Sequence, residues 1–206
     1  TLLDSLLSHA SEDPAISLYV QQQTLSAYMG VGGELDCEQM VEALTKTYNE
    51  LMESDSDALF KQKVRWMTGS ALYCAGRIAQ QQGKSQDALR NATDAHHLLT
   101  AVAEDRDVVP RSEILVGDAC FLIGSLHAVY KNDHSEAVKW YRESLQGYEQ
   151  PVVAEQIMNL GLHGERLVSM GLSFWQSGDH QRGLQLTRDG TEMIEKAVEK
   201  QDYQSQ

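Results

Sequence analysis

The sequence predicts an all-α fold built from repeated helical hairpins, and three observations carry that prediction. Proline occurs only at Pro14, Pro110 and Pro151, so long helices run with few forced breaks. Leu, Ala, Gln, Glu and Met are abundant while β-branched runs are nearly absent, a balance that favours helix over strand. Finally, three stretches align when anchored on a short polar turn: "ALYCAGRIAQQQGKSQDALRNATDA", "CFLIGSLHAVYKNDHSEAVKWYRES" and "RLVSMGLSFWQSGDHQRGLQLTRDG". In each, an apolar-periodic helix leads into the turn and a second helix leaves it.

The turns are Gly83-Lys84-Ser85, Asn132-Asp133-His134 and Gly178-Asp179-His180. Gly or Asn there tolerates the left-handed conformation that closes a helix, and the Ser or Asp after it is read as the cap of the next. Small residues recur where two helices must cross closely: Gly76, Ser125 and Gly171 on the first helices, and Ala88, Ala137 and Gly183 on the second. A further set follows at Ala95, Ser144 and Gly190. Larger apolar residues keep the helical period, as Leu72, Ala75 and Ala79 do, and Leu167, Met170 and Phe174, with Phe121 and Ala128 framing the middle stretch.

Counting back one period from Gly83 reaches Gly33, flanked by "AISLYVQQQTLSAYM" and "CEQMVEALTKTYNELM". These read as a fourth, N-terminal pair, with Ser26 matching the small-residue pattern and Glu38 departing from it. The expected hairpins are 14–54, 58–104, 111–149 and 151–201, within a single helical-repeat domain spanning 1–206. The connecting turns are "SDSD" at 54–57, "EDRDVVP" at 104–110 and Gln150-Pro151, with Pro151 suited to a helix's first turn. The first dozen residues read as a short extra helix or part of a preceding repeat.

This organisation resembles the tetratricopeptide repeat superfamily, through its small residues rather than its aromatic ones. Gly124 and Ala75 stand where that family usually has leucine, Ala92 where it usually has a large aromatic, and the proline after the second helix is missing. The turns at 83, 132 and 178 lie 49 and 46 residues apart, against 34 in an ordinary repeat of this family. Such spacing is similar to extended-helix members such as the kinesin light chain or Rap-type regulators. The resemblance implies a right-handed α-α superhelix of about four hairpins, with the first helix of each lining a concave groove. Carried over residue by residue, the groove positions are Tyr73, Arg77 and Gln80, then Leu126 and Tyr130, then Leu172 and Trp175. Leu, Tyr and Trp there, rather than Lys and Asn, argue against a carboxylate clamp. The competing reading is that these side chains only pack between long helices.

Charge narrows the partners. Net charge is −13, from 17 Lys and Arg against 30 Asp and Glu, which disfavours nucleic acid and anionic membrane surfaces and favours a basic or apolar protein segment. No apolar run approaches the roughly 20 residues of a membrane span. Cys37, Cys74 and Cys120 are odd in number, widely spaced and without CxxC, as expected of buried thiols in a reducing, cytoplasmic setting. The sequon at Asn91 lies in a helical stretch and is read as accidental.

"GVGGELD", 30–36, suggests a phosphate-cradling loop, but a helix precedes it and no lysine follows within ten residues. It reads as a corner. The seven histidines form no HExxH, and His96 and His97 diverge by about 100° as helix neighbours. His134 and His180 occupy equivalent turn positions and are expected to face solvent. No GxSxG occurs, and the acidic pairs Asp55/Asp57 and Asp105/Asp107 read as helix caps. Glu192, Glu195 and Glu199 with Lys196 and Lys200 read as a solvated helix face. The expectation is therefore a non-catalytic scaffold with no metal and no cofactor, binding a protein or peptide in its groove. The alternatives are a self-associating dimerisation module or a ligand-responsive sensor of the Rap type.

Overall fold

The computed structural model describes residues 13–31, 35–103, 112–148 and 159–204. They form eight helices and no strand: α1 (Pro14–Val31), α2 (Cys37–Glu53), α3 (Ala58–Gln81), α4 (Ser85–Ala103), α5 (Ser112–Tyr130), α6 (His134–Tyr148), α7 (Leu160–Gln176) and α8 (His180–Gln204). The all-α expectation holds for these residues. None of the described helices is long and apolar enough to cross a membrane. The expected corner at Gly33, the linker 104–110, the start at Pro151 and the first dozen residues lie outside the described residues. The chain divides into two compact units, Thr1–Leu122 and Ile123–Gln206.

In the first unit α1 packs on α2 and α3, α2 on α3, and α3 along α4. From Thr68 to Ala79 every residue of α3 except Arg77 is buried, a run rich in Gly, Ser, Ala and Cys. Small side chains on all sides let neighbouring helices approach this one closely, which suits it to the centre of the unit. Leu18 and Leu25 of α1, Leu44 of α2 and Leu99 of α4 are fully buried and supply the volume that α3 lacks. Asp36 and Asp57 accept from the backbone N–H groups of Gln39 and Phe60, starting α2 and α3. Asp57 is thus the cap expected from sequence. A further tie joins the helix ends, where Gln82 Nε2 donates to the Leu35 carbonyl at 3.1 Å.

In the second unit α6 packs on α7, and α7 runs along α8. The α7–α8 crossing is made by backbone. A Cβ at Gly164 would stand 2.5 Å from the Gly190 carbonyl oxygen, and one at Gly171 would stand 2.8 Å from that of Gly183. The two glycine pairs repeat seven residues apart, two helical turns, so contact is renewed on the same faces.

Gly83 (φ 74), Gly178 (φ 95) and Asn132 (φ 52) are the positive-φ residues among those described. They are the three turn residues that the sequence singles out, and only Asn132 lacks glycine's freedom. Two of the turns are closed alike: Lys84 N donates to Ala79 O, and Asp179 N to Phe174 O. The middle turn is longer by one residue, since Asp133 N reaches back to His127 O.

That extra residue corrects the expected register. Measured from the closing carbonyl, Gly124 and not Ser125 is the equivalent of Gly76 and Gly171. Its hypothetical Cβ would lie 3.2 Å from the Ala137 carbonyl and 2.6 Å from the Tyr141 ring, while Ser125 is only half-buried. The first helices therefore share a two-glycine signature, Gly69/Gly76, Gly117/Gly124 and Gly164/Gly171, that alignment on the turns hides. The capping expectation needs a second correction. Asp133 and Asp179 cap α6 and α8 by accepting from Glu136 N and Arg182 N, but Ser85 is already helical and the cap position before α4 falls to Lys84.

Candidate functional site

The residues expected to line a groove separate into buried and exposed sets. Tyr73 and Leu126 are buried, 6% and 2% exposed, which corrects their assignment to a surface. Leu126 falls one place off register: counted from the closing carbonyl it matches Ile78 and Ser173, both also 2% exposed. Arg77 and Gln80 are half-buried, and the Arg77 Nε is buried without a hydrogen-bond partner. Tyr130, at the end of α5, is 44% exposed. Leu172 and Trp175 are exposed at 58% and 43%, and these two the structure brings together.

They stand on α7, whose orientation is held from its other face. Leu167, Met170 and Phe174 are buried, a stripe at helical spacing. His163 meets the Tyr148 ring edge-on at 5.0 Å, and Arg166 donates to the Tyr148 hydroxyl at 2.8 Å. Arg142 of α6 lies over the Phe174 ring at 5.6 Å, and His134 Nδ1 is 3.1 Å from the Ser173 hydroxyl. His134 is therefore half-buried rather than solvent-facing, whereas His180 is exposed and meets the Trp175 ring at a 54° tilt with centroids 4.4 Å apart. These contacts turn Val168, Leu172 and Trp175 away from α6.

Across from them, α8 presents Leu184, Thr187 and Ile194, and the two rows bound an apolar groove of about 520 Å³. Gly171 and Gly183, one of the two glycine pairs at which the helices cross, complete its lining. Leu184 is 57% exposed. Thr187 Oγ1 donates to the Gly183 carbonyl at 2.9 Å, so its hydroxyl is engaged within the hairpin. Glu165 supplies the charge in the lining. Such a surface is suited to burying an apolar side chain, with a carboxylate at its edge. Sequence reasoning finds Leu172 and Trp175 but misses Leu184, Val168 and Ile194. The available signal was the apolar spacing of Leu184, Thr187, Thr191 and Ile194 on α8, opposite a first helix already assigned to binding.

The fold and groove define an all-helical protein with a solvent-facing apolar cleft between paired helices. Compared with known proteins, the chain matches no family model, and no curated protein shows significant similarity to it.

Proposed function

We propose that this chain is a tetratricopeptide-like helical-repeat scaffold, a right-handed stack of about four hairpins that binds a partner protein segment and catalyses no reaction. The observation that carries this reading is the groove on α7–α8, where Leu172, Trp175 and Leu184 stay more than two-fifths exposed around one apolar cleft. Exposed apolar clusters of this kind mark interaction surfaces, and tryptophan is among the side chains that carry most interface energy. The net charge of −13 supports a basic or apolar partner. Cys37, Cys74 and Cys120, all buried and in no disulfide, support a cytoplasmic setting.

The test is affinity capture with the wild type and a Leu172→Ser, Trp175→Ser double variant. Circular dichroism is expected to stay helical while partner recovery collapses. Recovery equal to wild type would refute the reading.

A further inference from the structure

The groove lies beside a repeated position whose residue differs from one hairpin to the next. In register, Ala92, Tyr141 and Thr187 are equivalent, each four residues beyond the small residue that follows its turn. Each lies beside the equivalent glycine of the preceding helix: Gly76, Gly124 or Gly171.

The three hairpins treat the space over that glycine differently. Over Gly124 the Tyr141 ring fills it, 1% exposed, from within the hairpin itself. Beside Gly76 the second helix offers only Ala92, and the space is taken by a side chain from the next helix. Leu122 Cδ2 of α5 lies 3.3 Å from where a Gly76 Cβ would stand, and Leu122 is 1% exposed. Beside Gly171 the residue is Thr187, whose Oγ1 sits 2.5 Å from where a Gly171 Cβ would stand; the short side chain covers the glycine but reaches no further, and the cleft of about 520 Å³ opens beside it.

Resting on the interaction reading above, we infer that this cleft receives one leucine-sized side chain from an amphipathic helix of a partner protein. That side chain takes beside Gly171 the place that Leu122 takes beside Gly76. The partner helix's apolar stripe covers Leu172, Trp175 and Leu184, and its flanking residues are basic, matching Glu165 in the lining and the surplus of carboxylates over the chain. A second copy is disfavoured as occupant because it would bring another net charge of −13 to the same face.

The probe is a fluorescein-labelled helical peptide of Ala, Lys and Gln, about four turns long, with leucines at i, i+3, i+4 and i+7. Its control has alanine at the leucine positions. Fluorescence anisotropy is expected to show saturable binding of the leucine peptide to the full chain and none of the control. Thr187→Tyr, which copies the filled middle hairpin, is expected to weaken binding by at least about tenfold. Leu184→Lys, on the exposed rim, is expected to weaken it similarly with the helical spectrum unchanged, and decides the matter if Thr187→Tyr fails to fold.

Wild type that ignores the leucine peptide, or a folded Thr187→Tyr that binds it as wild type does, overturns the inference. A dimer in sedimentation that Leu184→Lys dissociates would assign the face to a second copy and also overturn it. If the peptide fails while the Leu172→Ser, Trp175→Ser variant still loses its captured partner, the helix inference falls and the interaction reading stands.

Discussion

Gly161 and Gly164 lie three residues apart on α7, and the same change, glycine to alanine, should act on them with opposite sign. At Gly161 an added Cβ would find the Ala197 Cβ at 3.5 Å, an ordinary contact, in the helix's first turn. Alanine there removes glycine's excess backbone entropy and should stabilise the second unit by about 0.5 kcal/mol. At Gly164 the Cβ would stand 2.5 Å from the Gly190 carbonyl oxygen and 2.8 Å from Ile194 Cγ1. The oxygen belongs to backbone and cannot rotate away, so α7 and α8 must separate by several tenths of an ångström. Overpacking of this kind costs about 1–3 kcal/mol, and the propensity gain offsets only about 0.5–1 of it. The net expectation is a loss of about 1–2 kcal/mol, read as a lower urea midpoint with unchanged slope. Urea titrations followed by circular dichroism would measure both variants against wild type. If Gly164→Ala is as stable as Gly161→Ala, the helices do not cross at the distance described, and the glycine pairing loses its physical basis.

Other expectations follow from the turns and the buried acids. Lys84→Asp places a carboxylate where Asp133 and Asp179 cap their helices, and removes a cation from the positive end of α4. Thermal and urea melts should show a gain of about 1 kcal/mol, and a loss would mean that the Lys84 turn differs from the Asp179 turn. Burial pushes the Cys74 thiol up from 9.0 to about 11, and burial pushes the Tyr141 phenol up from 10.0 to about 12, partly opposed by its hydrogen bond to Ser173. Both groups hold their protons longer when folded than when unfolded. Their contribution is therefore complete below pH 9 and is lost as pH rises, from 9 to about 11 for Cys74 and from 10 to about 12 for Tyr141. Stability measured by urea titration should fall across that window, and Cys74→Ala should flatten its lower part. A profile identical in the two proteins would refute the assignment to Cys74.

How far the sequence could be read depended on which interactions are local. Gly83, Asn132 and Gly178 were legible because a left-handed residue at a helix end selects Gly or Asn regardless of what packs nearby. The cap at Asp57 was legible for the same reason. Ser125 was misplaced because the number of residues needed to close a turn is a backbone hydrogen-bond property, and "YKND" and "QSGD" look alike as strings. Tyr73 and Leu172 share the same amphipathic spacing, yet one is buried and the other mostly exposed. That difference depends on what covers each helix, which no local pattern encodes. The equivalence of Thr187 and Tyr141 likewise becomes meaningful only once both are seen beside a glycine.

The extra residue in the middle turn bears on how these hairpins could be recombined. A helix advances about 100° per residue, so a graft joined by matching turn to turn would rotate α5 by that angle against its new partner. Gly124 would swing off the contact and Ser125 would take its place against the second helix. Splicing by the glycines instead leaves the crossing intact and lets the loop absorb the difference in length. The turn can therefore differ in length between these hairpins while the glycines keep each pair of helices crossing on the same faces.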